Sequence, residues 1–536
     1  MISVLVGLVA ATLSVAPVWG EETAGPASML SPLEEEKLFC NVCRVLRPGE
    51  LPAGVSLFEG HEPTARCGTG PVLEALHNWG RISAETRTKL TTFFQRPSSQ
   101  RTHPSPSGRF LIHYDVSGTH AVSTEDNDSN GVPDYVDETA AVFDHSWDRE
   151  IGELGYLPPP EDSDGIYDIH IQQLGLQGVY GLTFPTGSTT SSSYIQIDND
   201  FTDNIYQTRG LDGLRVTAAH EFFHAIQFAY YAPFDAAWWQ ELTATWMEDV
   251  IYDDINDYYQ YQTFFFQDPG TSLDDSPFVG LQPFAASVFA HHLEQVYGIN
   301  TIRDTWESLG TRTPSTYEIE DIDTALPKGL SSILPRFIVW NYLTGNRHVA
   351  GYYEEGASYT EISPRQITPT SGGTISGSVN IDHLSSAYLA IKTSSVSGGL
   401  RVSLSLESGS TYEVVMMLFQ GGSPEVVTLA GSETTIANVS RYDEVVVVPI
   451  STATSGSRFR IDYSISAGSS ITVTSDLVGD FDADGSVAFT DFLAFAGSFG
   501  QPAREDSHNR QHDLNADGTV GFGDFLLFAS HFGESR

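Results

Sequence analysis

His220-Glu221-Phe222-Phe223-His224 lies within an apolar-periodic stretch, Leu214 to Phe228, whose spacing predicts a helix. Histidines four residues apart share one helix face, so two imidazoles can converge on one Zn2+. Glu221 stands beside that face, where a carboxylate can take a proton from water activated by the metal. A second set of ligand types recurs near the C-terminus. Asp480, Asp482, Asp484 and Gly485 repeat 33 residues later as Asp513, Asn515, Asp517 and Gly518. Ser486 and Thr519 fall at the seventh loop position, and Asp491 and Asp524 at the twelfth. Oxygens at positions 1, 3, 5, 7 and 12 with glycine at 6 suit Ca2+, a hard cation that takes about six to eight oxygens. One further loop, Asp126 to Asp137, puts Asp126, Asp128, Asn130, Asp134 and Asp137 at positions 1, 3, 5, 9 and 12, with Gly131 at 6. Calcium is the chemistry this single copy suggests; an Asn-Gly turn on an acidic surface is the plain alternative.

The residues after His224 decide the class of zinc site. Gln227 and Tyr230 stand where a metzincin has its glycine and third histidine, which excludes that class. Trp238-Trp239-Gln240-Glu241-Leu242-Thr243-Ala244-Thr245-Trp246-Met247-Glu248 resembles the second zinc helix of the gluzincins, the clan of thermolysin and of the aminopeptidase/leukotriene-hydrolase family. The W-x-x-E-x-x-A-x-x-x-E pattern of that family is matched at Trp238, Glu241, Ala244 and Glu248. The resemblance implies that Glu241 is the third zinc ligand and that Glu248 supports the site from behind. Sixteen residues separate His224 from Glu241, so the connecting loop must be tighter than in those families. Trp238, Trp239 and Trp246 read as core rather than as a substrate platform.

From about 105 to 355 the chain looks like a group of secreted bacterial metallopeptidases, with the specific match confined to His220 through Asp249. The G-x-M-E-N motif by which the aminopeptidases capture an amino terminus is absent, so the resemblance implies an endopeptidase. In the same family a P-Y-x-x-G segment supplies a tyrosine that steadies the oxyanion. Here the equivalent is Gln282-Pro283-Phe284-Ala285-Ala286-Ser287, and Phe284 has no hydroxyl to donate. Tyr297, Tyr352, Tyr353 and His348 are the candidate replacements. The C-terminal repeat pair resembles a dockerin, two half EF-hands each built of a loop and one helix (Phe492 to Ala496 and Phe525 to Ala529). That resemblance implies calcium and a cohesin-like or cell-surface partner.

Elements must position these groups, and the chain's texture divides accordingly. Residues 2–19 are uncharged and mostly apolar, and Val18 and Gly20 fit a signal-peptidase site, so 1–20 reads as a signal peptide and the protein as secreted or surface-attached. No Lys or Arg precedes that run. Residues 21–104 read as a helical pro-region closed by the Pro/Ser-rich segments Gln95 to Ser99 and Pro104 to Gly108, which look like a linker. A zinc peptidase domain follows over 105–360, a small sheet and then helices, with Tyr194 to Phe201 expected as its edge strand. Period-two segments such as Leu400 to Leu406 predict an antiparallel β-sandwich over 365–475, before the dockerin-like 476–536. The expected class is therefore multidomain α+β.

Composition narrows the function. Among 536 residues, 27 Lys+Arg against 69 Asp+Glu give a net charge of −42, which repels nucleic-acid phosphate and anionic lipid. No stretch beyond the leader approaches a membrane span. Cys40, Cys43 and Cys67 are too few for a disulfide scaffold. A disulfide from Cys67 to Cys40 or Cys43 is the expected pairing; Ala65-Arg66-Cys67-Gly68-Thr69 is also loosely similar to the cysteine switch of some latent metalloproteases. The leading reading is a secreted zinc peptidase with a calcium-binding tail. The rival is a catalytically weak peptidase fold used for binding or adhesion, and no paired-carboxylate signature supports polysaccharide cleavage.

Overall fold

A computed structural model describes residues 28–55, 66–162, 164–187, 190–230, 237–275, 280–311, 319–407, 410–429, 431–436, 439–468, 478–479, 481, 487–503, 508–515 and 517–534. The expected signal peptide and the calcium ligands Asp480, Asp482, Asp484 and Ser486 lie outside the described residues.

Three helices come first: α1 (Pro32–Leu46), α2 (Thr69–His77) and α3 (Ala84–Phe93). Ser31 caps α1 through Glu34 N–H while the Glu34 carboxylate reaches back to Ser31 N–H, and Pro32 takes the position where a missing N–H costs nothing. One face of α1 buries Leu38, Val42 and Val45 against Val72, Ala75, Leu90 and Phe94 of the other two helices.

β1 (Arg101–Pro104), β2 (Phe110–Tyr114), β3 (Tyr167–Gln172), β4 (Gly181–Pro185) and β5 (Ser193–Asp198) form one mixed sheet in the order β1-β2-β3-β5-β4. The inner strands β2, β3 and β5 run parallel, while β1 and β4 are antiparallel edges. The expected linker is thereby divided. Arg101–Pro104 is a strand, and Ser105 to Gly108 is its hairpin turn, held by Ser105 Oγ and Ser107 N–H donating to Asp144. Tyr194 to Asp198 is a strand as expected, but an inner one; the edge is β4, which the sequence reading overlooked. Alternation along β4 sends Leu182 and Phe184 into the core of the N-terminal helices and turns Thr183 toward the helices of the opposite face.

That opposite face is covered by α4 (Asp134–Trp147) and α5 (Gly210–Tyr230), and α6 (Ala237–Ile251) packs on α5. Smaller helices complete the layer: α7 (Gln262–Phe266), α8 (Gln282–Ala285), α9 (Ser287–Tyr297), α10 (Asn300–Gly310), α11 (Ile319–Ala325) and α12 (Leu330–Tyr342). Trp239, Trp246 and Trp306 are fully buried among them, so the first two are core, as their setting in an apolar helix suggested.

Ten strands follow: β6 (Arg365–Ile367), β7 (Thr374–Ile381), β8 (Ser385–Ser386), β9 (Leu389–Lys392), β10 (Gly399–Leu406), β11 (Tyr412–Phe419), β12 (Pro424–Thr428), β13 (Glu433–Ile436), β14 (Glu444–Ser451) and β15 (Phe459–Gly468). They form a four-stranded sheet, β13-β10-β15-β7, and a second sheet, β12-β11-β14-β9-β6, with β8 on β14. Leu400, Val402, Val414, Met416, Val445, Val447, Ile461 and Ile465 meet in one core, so the sheets face each other. Val415, Met417, Val446 and Val448 point the other way, into the helical core. A sheet buried on both faces explains the unbroken apolar runs Val414 to Leu418 and Val445 to Val448. The sheets are antiparallel except for the β6–β9 pair, which is parallel.

The described part of the tail holds α13 (Phe489–Ser498) and α14 (Phe522–His531). Val487 exchanges backbone hydrogen bonds with Gly533 and Glu534, and Val520 with Gly500 and Gln501, the same contacts shifted by one repeat. The chain is multidomain α+β. No helix among the described residues is long and apolar enough to cross a membrane.

Candidate metal centre

α5 and α6 lie side by side and deliver three buried groups to one point, where a fourth meets them. His220 and His224 come from one turn of α5, and Glu241 from the second turn of α6. The two Nε2 atoms are 3.1 Å apart, and Glu241 Oε2 is 3.3 Å from His220 Nε2 and 3.5 Å from His224 Nε2. The fourth member is Cys67, whose Sγ is 3.5 Å from His224 Nε2. Together these four residues form a group able to hold a metal ion, with ligand atoms all within 4.8 Å of one another. Bonds of ~2.0–2.3 Å to a tetrahedral zinc set ligand–ligand edges of about 3.3–3.6 Å, close to the 3.1–3.5 Å separations among the two imidazoles and Glu241 and between Cys67 and His224.

The partners behind the rings orient them. His220 Nδ1 donates to Glu248 Oε1 at 2.7 Å and His224 Nδ1 to Gln227 Oε1 at 2.8 Å, which turns both Nε2 atoms toward the centre. Gln227 is held in turn, donating to Gln240 O and Thr243 Oγ1. Arg66 grips Glu248 with both ends of its guanidinium, at 2.6 and 2.9 Å, and pairs with Asp257 at 2.9 Å. Burial alone would push His220 down, but Glu241 and Glu248 outweigh it and hold the imidazole up at about 9. Burial would push Glu241 up, yet His224 and His220 hold it at about 2. Burial pushes the Cys67 thiol well above its usual range, and Glu221 and Glu241 add to that. This pocket draws positive charge, and a cation among its ligands would release the thiol proton.

Glu221 is buried beside the centre, accepting from Thr183 Oγ1 at 2.8 Å and from Thr69 Oγ1 at 3.2 Å. The 66–69 segment reaches this depth because two glycines allow it. A Cβ on Gly68 would lie 2.5 Å from Val45 Cγ1, and one on Gly181 would lie 2.8 Å from both Glu221 Cγ and Thr217 Cγ2. Cys67 therefore stands at the metal group rather than in the expected disulfide, and all three cysteines are free thiols, with Cys40 and Cys43 buried on α1.

Phe284 stacks on the His220 ring, centroids 5.9 Å apart and planes 24° from parallel. Of the candidate replacements, Tyr353 donates to Asn341 and Val288 O, and His348 bonds Tyr353 O. Tyr352 packs on Trp340. Arg66, Thr69, Thr183, Gln227 and Asp257 escaped the sequence reading. The Arg66-Cys67-Gly68-Thr69 order and the loss of the metzincin glycine at Gln227 were the signals available.

The acidic loops form a second kind of site. Asp513 accepts from Asp517 and Gly518 N–H, Asn515 from Asp517 N–H, and Asp517 from Thr519 N–H. Asp126 accepts from Asn130 and Gly131 N–H, Asp128 from Asn130 N–H, and Asn130 from Val132 N–H. The two loops share this bonding over positions 1 to 7, with Gly131 and Gly518 both at positive φ. Each gathers three carboxylates able to hold a metal ion: Asp513, Asp517 and Asp524, and Asp126, Asp128 and Asp134. Asp137 is outside the second group and accepts from Asn130 Nδ2 instead. Asp491 and Asp524 take one equivalent backbone bond, from Ala488 and Gly521 N–H, and each takes one more from its own loop, from Phe481 and Asn515 N–H respectively. A further group, the buried Asp168 and His170 with the half-buried His113, already has Asp168 paired with Arg96 and with His113.

No family model matches the chain, and no curated protein matches it.

Proposed function

We propose that the chain is a secreted zinc-dependent endopeptidase whose dockerin-like, calcium-binding tail serves attachment. The observation that carries this reading is the convergence of His220 Nε2, His224 Nε2 and Glu241 Oε2 at tetrahedral spacing, with Glu221 buried beside them. His220, His224 and Glu241 would hold the zinc, with Glu248 and Gln227 orienting the imidazoles. When bound, zinc supplies a Lewis acid that polarises a carbonyl and lowers the pKa of water. Glu221 accepts the proton of the attacking water and returns it to the leaving amine nitrogen, while Thr183 fixes its carboxylate. The gluzincin resemblance of 238–248 supports the ligand role of Glu241, and the matched loop geometries support calcium at Asp513, Asn515, Asp517, Thr519 and Asp524 and at Asp126, Asp128, Asn130 and Asp134.

Phe284 favours the rival, a catalytically weak binding or adhesion protein, because its ring against His220 offers no donor to an oxyanion. Loss of one such donor costs roughly 10²–10³ in rate. Metal analysis of the purified chain, together with casein and peptide-library digestion before and after removal of residues up to about 100, separates the two. One zinc per chain with cleavage supports the enzyme; zinc-free protein without cleavage defeats it.

A further inference from the structure

We infer that Cys67 is a fourth ligand of the metal supplied in cis, and that the 66–69 segment holds the enzyme latent until it is displaced. This rests on the metallopeptidase reading above. A catalytic zinc keeps one coordination position open for water and substrate, whereas four protein ligands close it. With Cys67 Sγ 3.5 Å from His224 Nε2, inside the same group as His220 and Glu241, the arrangement is the closed one.

Three independent contacts show that the segment occupies working parts of the site. The first is the base: Thr69 Oγ1 donates to Glu221 Oε2, so the carboxylate that must receive a proton is already engaged. The second is the edge of the sheet. Gly68 N–H donates to Gly181 O, Tyr180 N–H donates to Arg66 O, and Cys67 bridges Gly181, which adds the segment as a short extra strand on β4. An exposed sheet edge beside a hydrolytic centre is where an extended peptide gains backbone hydrogen bonds, and the segment fills it. The third is the anchor. Arg66 is buried with a bidentate grip on Glu248, the residue that orients His220, so the latch is fastened to the metal's own support.

The N-terminal helices keep this latch at high effective concentration. Their core includes Leu182 and Phe184 of β4, so the segment is docked by apolar packing as well as by its polar contacts. Cys67 therefore acts by blocking a coordination position, and Thr69 by occupying the base. Opening requires that the N-terminal region leave.

The test uses the full chain loaded with Co2+ in place of zinc, and the Cys67→Ala variant. Wild type should show a thiolate-to-cobalt charge-transfer band in the near ultraviolet. Cys67→Ala should lose that band while still binding one metal per chain, and a Cys40→Ser, Cys43→Ser variant should keep it. Zinc-loaded Cys67→Ala should cleave peptide faster than wild type, on the order of tenfold or more, because the competent fraction rises. Metal bound equally by both proteins with no thiolate band in wild type overturns the latch and leaves the zinc site standing, as does unchanged hydrolysis. Absence of stoichiometric metal from every form overturns the metallopeptidase reading and this inference with it. Should Cys67→Ala fold poorly, the wild-type cobalt spectrum decides alone.

Discussion

Gln227 fixes the His224 ring through Nδ1 and is itself pinned to α6 by Gln240 and Thr243. Gln227→Leu should weaken zinc binding about 10–100-fold, the usual loss when a ligand's orienting partner is removed, with the fold intact by circular dichroism. Phe284→Tyr tests the missing donor from the other direction. It should raise kcat with little change in KM, since an oxyanion contact exists only in the transition state, and an unchanged kcat would show that Phe284 is wall and nothing more. Asp249 gives a pH signature. Burial first, and then Glu355, Asp253 and other carboxylates, push it from 3.8 to about 8. The folded protein keeps this proton where the unfolded chain has lost it, so the stability it contributes is full below 3.8 and is lost as pH rises through about 8. Asp249→Asn should therefore raise Tm relative to wild type near pH ~9 and much less near pH ~5, as a scan at both would show. At this scale the two histidines and Glu221 were legible because helical spacing alone puts them together, and Glu241 through its resemblance. Arg66, Thr69 and Thr183 were not, because their contacts with Glu248 and Glu221 join positions far apart in the chain, which no local periodicity encodes.

Among the elements, β4 went unread and matters most to the site. Its sequence, Gly181-Leu182-Thr183-Phe184-Pro185, is buried on both faces and so lacks the alternation that marks a half-exposed strand. The same physics made β11 and β14 apolar without a break, while the strands of the other stacked sheet kept a visible period of two. β1 was hidden by its composition, since Pro104 reads as punctuation and is tolerated on an edge. The stretch between α3 and β1 is irregular and mostly exposed, whereas Arg101–Pro104 is tied to β2. Limited proteolysis should therefore cut between about 95 and 100, and N-terminal sequencing of the core fragment should begin before Arg101; a start beyond Pro104 would mean that β1 is dispensable. In the tail, Asp524 holds Asn515 and Gly521 N–H in the loop that leads into α14. Calcium should raise the melting transition of the tail in the full chain, and Asp524→Ala should abolish that rise. A calorimetric trace indifferent to calcium would remove the ion from the account.

The whole molecule stacks an N-terminal helical unit on one face of a mixed sheet, the helices that carry the candidate metal ligands on the other, and a pair of facing sheets against those helices. The sheet is thus the partition between what would be catalytic and what would restrain it, and the restraint crosses over at the edge strand β4, where Leu73 of α2 also packs with Phe228 of α5. The repeat in the tail leaves Phe489 and Leu493 of α13 and Phe499 just beyond it exposed, and Phe522, Leu526 and Phe532 at the same places in and after α14. A surface with net charge −42 and calcium-type loops suits an extracellular setting, where calcium is plentiful. The succession of helical and strand-rich stretches was legible from texture, because each change of period marks a change of secondary structure. How the regions dock was not, since docking is written in apolar faces that look alike in sequence. The central claim is that Glu221 performs hydrolysis at a metal held by His220, His224 and Glu241. Peptide hydrolysis by the zinc-loaded Cys67→Ala protein with and without Glu221→Gln tests it most directly. Cleavage by the first and none by the second is expected at equal zinc content, and equal rates of cleavage by the two would overturn the role of Glu221.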